Sequence, residues 1–346
     1  MKLAVVGAGA VGRAVCSLAP EYGHTVVALS DSRGAAIDSE GVAFEDVLAR
    51  TERGEPVGEE TPDEALDAPY DVLVEATPTT LGNAEPGFSH VRRALERDRY
   101  VVLANKGPVA QRYGDLRSAQ RESNGRVLFE ATVAGAIPAL STIADLGAEN
   151  VTAVRGVLNG TANFILSRMA AEGLDYEHVL TEAQDLGVAE ADPAFDVDGT
   201  DAALKCVILA NVLADATTAD ADATANDSTA AKDGSTTAGG SSGRTYTIAD
   251  ADVAGIEGVP PSALDLAAED GRTIRLIGEV SDGAVRVGPR LVPEGGTLAV
   301  TGTQNIVQLE TRHAGRLNIS GRGAGGPETA TAVLADVGRL ESERGS

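Results

Sequence analysis

Residues 2–32, KLAVVGAGAVGRAVCSLAPEYGHTVVALSDS, decide the fold of the first part of the chain. The pattern predicts a buried strand at 3–6, a glycine turn, a helix from about residue 11 and a second strand at 25–29. In such a turn Gly7 permits the tight bend, Gly9 lets the backbone approach a pyrophosphate, and Gly12 lets the helix pack closely on the strand. The phosphates would meet amide groups at the N-terminus of the helix, so the stretch predicts a dinucleotide site. The predicted cofactor contacts in the turn are Gly7, Ala8, Gly9, Ala10, Val11 and Gly12.

The end of the second strand bears on which nicotinamide cofactor is bound. It reads Ser30-Asp31-Ser32-Arg33. A carboxylate at this position accepts hydrogen bonds from the ribose hydroxyls of NAD, whereas an arginine pairs with the 2′-phosphate of NADP. Because both residue types are present, the sequence leaves NADP and NAD open and makes Arg33 a candidate cofactor contact.

The alternation of strands and helices continues through three further stretches. They are YDVLVEATPTT at 70–80, HVRRALERDRYVVLANKGP at 90–108 and GRVLFEATVAGAIP at 125–138. Each contains a run typical of a buried parallel strand, and polar residues follow at Thr77, at Asn105-Lys106 and at Glu130. Ligands of open α/β sheets bind outside the carboxyl ends of the strands, so we expect these side chains to converge on one crevice. The prediction for residues 1–135 is an α/β fold, a Rossmann-type doubly wound parallel sheet that forms a dinucleotide-binding domain.

The composition excludes some classes of partner. The 346 residues include 52 Asp and Glu against 28 Lys and Arg, a formal charge of −24. Such a field repels nucleic acid and anionic membranes, and the apolar runs fall short of the ~20 residues of a membrane span. The first residues lack the cleavage region of a signal peptide, so we expect a cytoplasmic protein with a small-molecule partner. Lysine occurs only at positions 2, 106, 205 and 232, and an acidic, lysine-poor composition resembles that of halophilic proteins.

A second kind of pattern begins after about residue 150. It predicts an α+β domain at 136–319, a candidate substrate and dimerisation domain, since its strands could close a sheet between subunits. Residues 154–173 read as a strand, a polar turn at 159–161 and a helix. Thr161 or Asn163 would cap that helix, since hydroxyl and amide side chains accept hydrogen bonds from its first amide groups.

The rest of the second region predicts a sheet and an irregular segment. Residues 214–245 contain almost no large apolar side chain and cannot offset the entropy of ordering, so we expect a disordered insertion there. The last stretch, 320–346, predicts a glycine turn and a helix that returns to the first domain. Strands are predicted at 274–280, 285–292 and 297–300.

Residues 190–210, EADPAFDVDGTDAALKCVILA, hold five carboxylates within twelve residues and then a lysine. On so acidic a chain a single carboxylate is most often a solvated surface group, and Asp192 and Asp198 are interpreted as capping or solvated. A lysine kept in a composition that discards lysine is more informative. Asp201 and Lys205 are four residues apart on a predicted helix, so they share a face, and Lys205 lies at the edge of the apolar stripe, where it could reach into a cleft.

Six blocks of the sequence, in this order, resemble the homoserine dehydrogenase family over nearly the whole chain. They are GAGAVG at 7–12, NKGP at 105–108, EATVAGAIP at 130–138, GVLNGTANFIL at 156–166, the block at 183–205, and GRGAGGPETATAV at 321–333. The fifth block matches the family at Ala183, Gly187, Asp192-Pro193, Asp196, Gly199, Asp201 and Lys205. The chain departs from the family pattern at Ala134, Ala136 and Ala162, and none of these removes a polar catalytic group. It resembles the short form of the family, without a C-terminal regulatory domain.

The resemblance implies NAD- or NADP-dependent oxidation of L-homoserine to L-aspartate 4-semialdehyde, or the reverse reduction, in threonine, methionine and isoleucine biosynthesis. It implies that Lys205 is the general acid/base, with Asp201 as its neighbour. Glu190 would hold the ammonium group of the substrate, with Lys106 and Asp196 as further substrate contacts.

The resemblance also implies cofactor contacts beyond the glycine turn, a cation site and a homodimer. The cation is monovalent, Na⁺ or K⁺. Its implied ligands are Glu130 and the backbone of Val133, Gly135 and Ile137. The further implied cofactor contacts are Thr77, Asn105, Lys106, Gly187 and Gly323.

Two alternatives share the nucleotide-binding half. Another two-domain dehydrogenase of small amino acids, such as an aspartate dehydrogenase, would keep the glycine turn but would not need the block at 190–205. A catalytically silent nucleotide sensor would not need the combination of Lys106, Glu190, Asp201 and Lys205.

Overall fold

The computed structural model describes residues 1–225 and 244–344, and for residues 216–225 only the backbone. The chain divides into two units. Unit 1 contains Met1–Pro138, Thr301–Ile306 and Ser320–Ser346, and unit 2 contains Ala139–Val300 and Val307–Ile319.

The sheet of unit 1 has six strands in the order β3-β2-β1-β4-β5-β6. β1 pairs in parallel with both β2 and β4, and β5 and β6 extend the parallel pairing, while β3 is antiparallel to β2. The chain therefore leaves β1 first to one side and then to the other, which is the doubly wound order predicted from the sequence. The three-residue edge strand β3 was not predicted. The strands are β1 (Lys2–Val6), β2 (Thr25–Ser30), β3 (Ala35–Ile37), β4 (Val72–Glu75), β5 (Tyr100–Leu103) and β6 (Val127–Leu128).

Helices connect these strands. α1 begins directly after the glycine turn and buries Gly12, Val15 and Cys16. Glu130, predicted at the end of a strand, instead lies at the N-cap of a short helix two residues beyond β6. The helices are α1 (Ala10–Leu18), α2 (Phe44–Glu52), α3 (Pro62–Asp67), α4 (Gly87–Leu95), α5 (Gly107–Gln111), α6 (Tyr113–Arg121) and α7 (Ala131–Ala134).

The described part of unit 2 combines six helices with a sheet of order β12-β11-β7-β9-β10-β8. β9 pairs antiparallel with β10 and with β7. The helices are α8 (Ala139–Leu146), α9 (Gly160–Glu172), α10 (Tyr176–Asp185), α11 (Ala194–Val197), α12 (Thr200–Ala225) and α13 (Pro261–Glu269). The strands are β7 (Val151–Val157), β8 (Ala251–Val253), β9 (Arg272–Ser281), β10 (Ala284–Pro293), β11 (Gln304–Thr311) and β12 (Arg316–Arg322). The boundary between the units falls within β11 and β12.

Two predictions for this region need correction, and some of its strands were not predicted. Residues 297–300 are not a strand, and the alternating pattern missed β11 and β12. The predicted disordered segment 214–245 begins as helix, because α12 continues to Ala225. Alanine is the best helix former, so the backbone of such a segment can extend a helix that already exists even without apolar side chains to bury. The remainder of that prediction, residues 226–243, lies outside the described residues.

The last helix, α14 (Gly326–Arg344), belongs to unit 1. Its side chains Val333, Leu334 and Val337 lie in the same hydrophobic core as Leu3 and Val15. The end of the chain therefore completes the core of the first sheet. Across the residues that the structure describes, no helix is long and apolar enough to span a membrane.

Candidate functional site

The glycine turn, residues 7–12, follows β1 as the sequence predicts. Gly7 has φ +108° and donates its backbone N–H to the Ser30 carbonyl at 2.9 Å. A side chain on Gly7 would collide with the Ala76 carbonyl that follows β4, and one on Gly12 would collide with the Gly7 carbonyl. Both positions therefore require glycine. The absence of side chains there lets the ends of β1 and β4 approach each other at the point where the strand order reverses.

The N-terminus of α1 opens beside this turn. Gly9 is the N-cap, no side chain caps the helix, and the space beyond the Gly9 Cα is free within 4 Å. Ala10 is exposed and Ala8 and Val11 are partly buried. Uncapped amide groups and the positive end of the helix dipole favour an anion at this position.

Asp31 and Arg33 follow β2 and contact each other. The Asp31 carboxylate accepts hydrogen bonds from the backbone N–H groups of Arg33 and Gly34 at 2.8 and 3.0 Å. The Arg33 guanidinium lies 3.5 Å from Asp31 and donates to the carbonyls of Gly54 and Glu55 at 3.0 and 3.1 Å. The guanidinium is thus held at the loop after α2, and a carboxylate and an arginine both remain near the end of β2.

A buried carboxylate, Glu75, joins the ends of β4 and β5. Glu75 is fully buried. Its carboxylate accepts hydrogen bonds from the Thr77 hydroxyl, from the Thr77 backbone N–H at 3.1 Å and from the Asn105 amide at 3.3 Å. The His90 ring nitrogen Nδ1 lies 2.7 Å from its other oxygen. Thr77 and Asn105 therefore do meet, 3.0 Å apart, and Glu75 and His90 are the partners that the sequence analysis missed. The signal was a carboxylate at the last position of a buried strand.

Lys106 and Glu130 follow the next two strands. Lys106 is the N-cap of α5, and its backbone N–H donates to Thr79 at 3.3 Å. The Glu130 backbone N–H donates to the Asp336 carboxylate of α14 at 2.9 Å, and Arg339 lies 2.5 Å from Asp336 and 3.8 Å from the Glu130 carboxylate. Burial raises the pKa of the Asp336 carboxyl to about 6. Glu130 is thus a buried carboxylate anchored by the last helix.

The segment after Glu130 lies against the start of the last stretch of unit 1. Val133 and Ile137 are buried, and Gly135 has φ +56°. A side chain on Gly135 would come within 2.5 Å of the Gly323 carbonyl, and one on Gly323 would collide with the Asn305 amide. Neither polar atom of the buried Asn305 side chain has a hydrogen-bond partner among the described residues. Among those residues no group of three or more His, Cys, Asp or Glu side chains could hold a metal ion.

In unit 2, Lys205 and Asp201 form a buried ion pair in the first turns of α12. Their side chains are 7% and 8% exposed, and Nζ lies 2.6 Å from Asp201 Oδ2. Nζ also donates to the Leu158 carbonyl at the end of β7, again at 2.6 Å. The four-residue spacing brought the two side chains together as predicted, but Lys205 does not lie at the edge of an apolar stripe, because every side chain from Asp201 to Asn211 is buried.

Asn159 links this pair to Asp196. Its amide nitrogen donates to Asp196 Oδ1 at 2.6 Å and to Asp201 Oδ2 at 2.9 Å, and its oxygen accepts from the Ala162 backbone N–H at 2.8 Å. The N-cap of α9 is therefore Asn159, neither of the residues predicted for it. Burial raises the pKa of the Asp196 carboxyl and the charge of Asp201 raises it further, whereas the Asn159 amide and Lys205 oppose the shift.

The remaining predicted positions of the acidic stretch are more exposed. Glu190 is exposed, and its backbone carbonyl accepts from Gln184 at 3.2 Å. Asp192 and Asp198 accept from the backbone N–H groups of residues 194 and 200 at 3.2 and 2.9 Å, which agrees with their interpretation as capping residues. Gly187 follows α10 with φ +68°. The structure thus gathers Asp196, Asp201 and Lys205 and leaves Glu190 at the surface.

Two family models match the chain. The model described as homoserine dehydrogenase matches residues 138–337, and the model described as glutamate/leucine/phenylalanine/valine dehydrogenase matches residues 1–76. The first match covers more than half of the chain and includes the Lys205 ion pair. The second covers the glycine turn and the strands on either side of it.

Relatives match almost end to end. A homoserine dehydrogenase from Methanocaldococcus jannaschii is 36% identical, with 97% of each chain covered. An NAD(+)-dependent homoserine dehydrogenase from Pseudomonas canavaninivorans is 32% identical over 97% of this chain and 95% of its own. A hyperthermophilic archaeal homoserine dehydrogenase solved in complex with NADPH has the same fold, with a TM-score of 0.78 at 24% identity over 99% of this chain and 98% of that one. On this family match and these identities, the chain belongs to the homoserine dehydrogenase family.

Proposed function

We propose that the chain interconverts L-homoserine and L-aspartate 4-semialdehyde with NAD or NADP, a step of threonine, methionine and isoleucine biosynthesis. The observation that carries the proposal is the buried Lys205–Asp201 pair, tied to the end of β7, in a chain of this family. A buried ammonium ion is costly unless it is paired, and a chain that otherwise contains few lysines retains this one. Acid/base chemistry is the use that accounts for it.

Unit 1 contains a fitting cradle for the dinucleotide. The turn at 7–12 is narrow at Gly7 and Gly12, where a side chain would collide with the backbone, and the open N-terminus of α1 lies beside it. A dinucleotide whose phosphates are held at this turn would supply the hydride chemistry of the reaction through its nicotinamide. The proposed contacts outside the turn are Arg33, Thr77, Asn105, Lys106, Gly187 and Gly323.

Lys205 would move the proton. When the carbon that bears the hydroxyl group gives up a hydride, the hydroxyl group must also lose its proton, and in the reverse direction the carbonyl oxygen gains negative charge and then a proton. The ammonium group has three N–H donors, of which Asp201 and the Leu158 carbonyl take two. The third is left for the oxygen of the substrate. Asp201 would hold the lysine in this orientation.

The ends of the substrate would be held by charged side chains. L-homoserine is a small zwitterion that needs a carboxylate for its ammonium group and a donor for its carboxylate. Glu190 is exposed and Lys106 is partly buried, so both can reach a ligand. Asp196 is proposed as a further substrate contact, and its link to Asp201 through Asn159 supports this.

A monovalent cation is proposed at the Glu130 segment. Carboxylate and carbonyl oxygens replace the hydration shell of such ions. The buried Glu130 carboxylate, the unusual backbone at Gly135 and the nearby Asn305 amide without a partner fit a site that is completed by a small ligand. The proposed ligands are Glu130 and the carbonyls of Val133, Gly135 and Ile137.

A cytoplasmic location, a homodimer and adaptation to high salt complete the proposal. The substrate is a free amino acid of the cytoplasm, and the excess of acidic over basic side chains supports function in concentrated salt. Equilibrium sedimentation in molar KCl would measure the assembly, and a monomer at all concentrations would contradict the homodimer.

The decisive assay follows the absorbance of the reduced nicotinamide with L-homoserine, NAD or NADP, and either low or molar KCl. We expect turnover with at least one cofactor and a higher rate in molar salt. Parallel reactions with L-aspartate distinguish the amino-acid dehydrogenase alternative. Absence of turnover with both cofactors at both salt concentrations would contradict the proposed activity.

A further inference from the structure

The end of β7 holds both members of the Lys205–Asp201 pair. The Leu158 carbonyl accepts from the Lys205 ammonium at 2.6 Å, and the next side chain along, Asn159, donates to Asp201 at 2.9 Å. The oxygen that Asn159 reaches, Asp201 Oδ2, is the same one that Lys205 contacts. The orientation of the pair therefore does not depend on α12 alone.

The partners of Asn159 determine which way its amide points. Its oxygen faces the Ala162 backbone N–H at 2.8 Å, which can only donate. Its nitrogen faces two carboxylate oxygens, at 2.6 and 2.9 Å, which can only accept when ionised. Exchanging the oxygen and the nitrogen would make all three contacts repulsive. The amide uses one hydrogen for each carboxylate.

We infer that Asn159 is a positioning residue for proton transfer, which directs the Asp201 carboxylate and, through it, the Lys205 ammonium. The inference rests on the proposed role of Lys205. Without Asn159, Asp201 Oδ2 would lose a hydrogen bond that fixes its position beside the Lys205 ammonium, and the direction of the third N–H of that ammonium would be less constrained. Hydrogen bonds to charged groups are the strong ones in proteins, so two from a single buried amide constrain this geometry well.

The same amide separates two like charges. Asp196 and Asp201 both receive a hydrogen from it, and the groups that face Asp196 are Asn159, Thr161, Asp201 and Lys205. Donation from Asn159 favours the ionised form of Asp196 against burial and against the charge of Asp201. Loss of that donor would raise the pKa of the Asp196 carboxyl further.

The capping role and the bridging role can be separated by mutation. Serine caps helices as well as asparagine does but cannot donate to two carboxylates, so Asn159→Ser should keep α9 and remove the bridge. Aspartate also caps well and has nearly the same shape, so Asn159→Asp adds a third carboxylate without creating a cavity. Asp175→Ser exchanges one capping residue for another at the exposed N-cap of α10, where Asp175 accepts from the His178 N–H at 2.9 Å, and is the matched control.

The experiment measures turnover with L-homoserine, cofactor affinity and the pH profile for the full-length parent and each variant. For Asn159→Ser we expect kcat to fall by roughly 10- to 100-fold, the loss typical of a hydrogen bond to a charged group, with cofactor affinity unchanged. The acid limb of the pH profile should move to higher pH, because the Asp196 carboxyl then binds its proton more tightly. For Asn159→Asp the kcat relative to the parent should rise as the pH falls, because protonation removes the added charge. Asp175→Ser should match the parent.

Parallel measurement of Lys205→Ala separates this inference from the proposed function. If Lys205→Ala loses turnover while Asn159→Ser keeps the kcat and the pH profile of the parent, the positioning role is refuted and the role of Lys205 stands. If Lys205→Ala keeps turnover, the proposed proton transfer fails, and the positioning role fails with it. Thermal unfolding by circular dichroism reports folding. If Asn159→Ser does not fold, the Asn159→Asp profile decides: a ratio of kcat to parent that is independent of pH would refute the inference.

Discussion

Replacing Lys205 by methionine tests whether the buried pair is as tightly compensated as the geometry indicates. Methionine keeps the length and volume of the side chain, so the change removes the charge without opening a cavity. Asp201 would then lie 8% exposed beside Asp196 without the Lys205 ammonium. Breaking a buried ion pair by removing one partner costs about 3 to 5 kcal/mol. For a domain of this size that corresponds to a fall in melting temperature of roughly 10 °C.

The loss of stability should depend on pH with a definite sign. The uncompensated negative charge is costly where the carboxylates are ionised, and protonation relieves the cost as the pH falls. The difference in melting temperature between Lys205→Met and the parent should therefore shrink in acid. Turnover should fall by a factor of ~10² or more at every pH, since the proton donor is absent, while cofactor affinity should be unchanged.

A double variant separates stability from chemistry. Adding Asp201→Asn to Lys205→Met removes the uncompensated charge, so the melting temperature should recover most of the loss, because neutral replacements for a buried ion pair are often tolerated. Turnover should not recover. Thermal unfolding by circular dichroism and the nicotinamide absorbance assay measure the two quantities. A single variant as stable as the parent would refute the buried-pair argument, and a double variant that regains turnover would show that the proton comes from another group.

Three further outcomes follow from unit 1. Gly323→Ala should destabilise the protein by about 1 to 3 kcal/mol, because its Cβ would collide with the Asn305 amide. The control Gly321→Ala makes only an ordinary contact and should have the melting temperature of the parent. Equal melting temperatures for the two variants would contradict the predicted collision. Asp336→Asn should flatten the pH dependence of the unfolding free energy. In the parent the folded-state pKa of the Asp336 carboxyl is raised to about 6, so the free energy of unfolding falls by up to about 3 kcal/mol as the pH rises from about 4 to 6. An identical slope in both proteins would refute this. Glu75→Gln should raise the KM for the cofactor several-fold and leave that for homoserine unchanged, since an amide cannot accept from all of the donors that the carboxylate holds; a rise in the homoserine KM alone would contradict it.

Much of the fold could be predicted from the sequence because the patterns that decide it are local. The alternation of buried strands and helices, with glycines at 7–12, predicts a parallel sheet whose order reverses beside the turn, and the sheet has that order. The predictions of a strand at 297–300 and of disorder from residue 214 were wrong because the structure there does not depend on local patterns. Composition there reports what a side chain can bury, whereas strand pairing and the extension of α12 depend on neighbours that are distant in the sequence.

The sequence by itself determined that Asp201 and Lys205 share a face, since residues four apart on a helix always do. It also determined the glycine turn, because only glycine tolerates the backbone and the close approach at Gly7. The tertiary structure decided that the Leu158 carbonyl, 47 residues away, receives the Lys205 ammonium, and that Asn159 joins two carboxylates from different helices. The physical reason is that helix and strand periodicities relate residues only a few positions apart in the sequence. The hydrogen-bond partners of a buried charge instead depend on which elements pack around it.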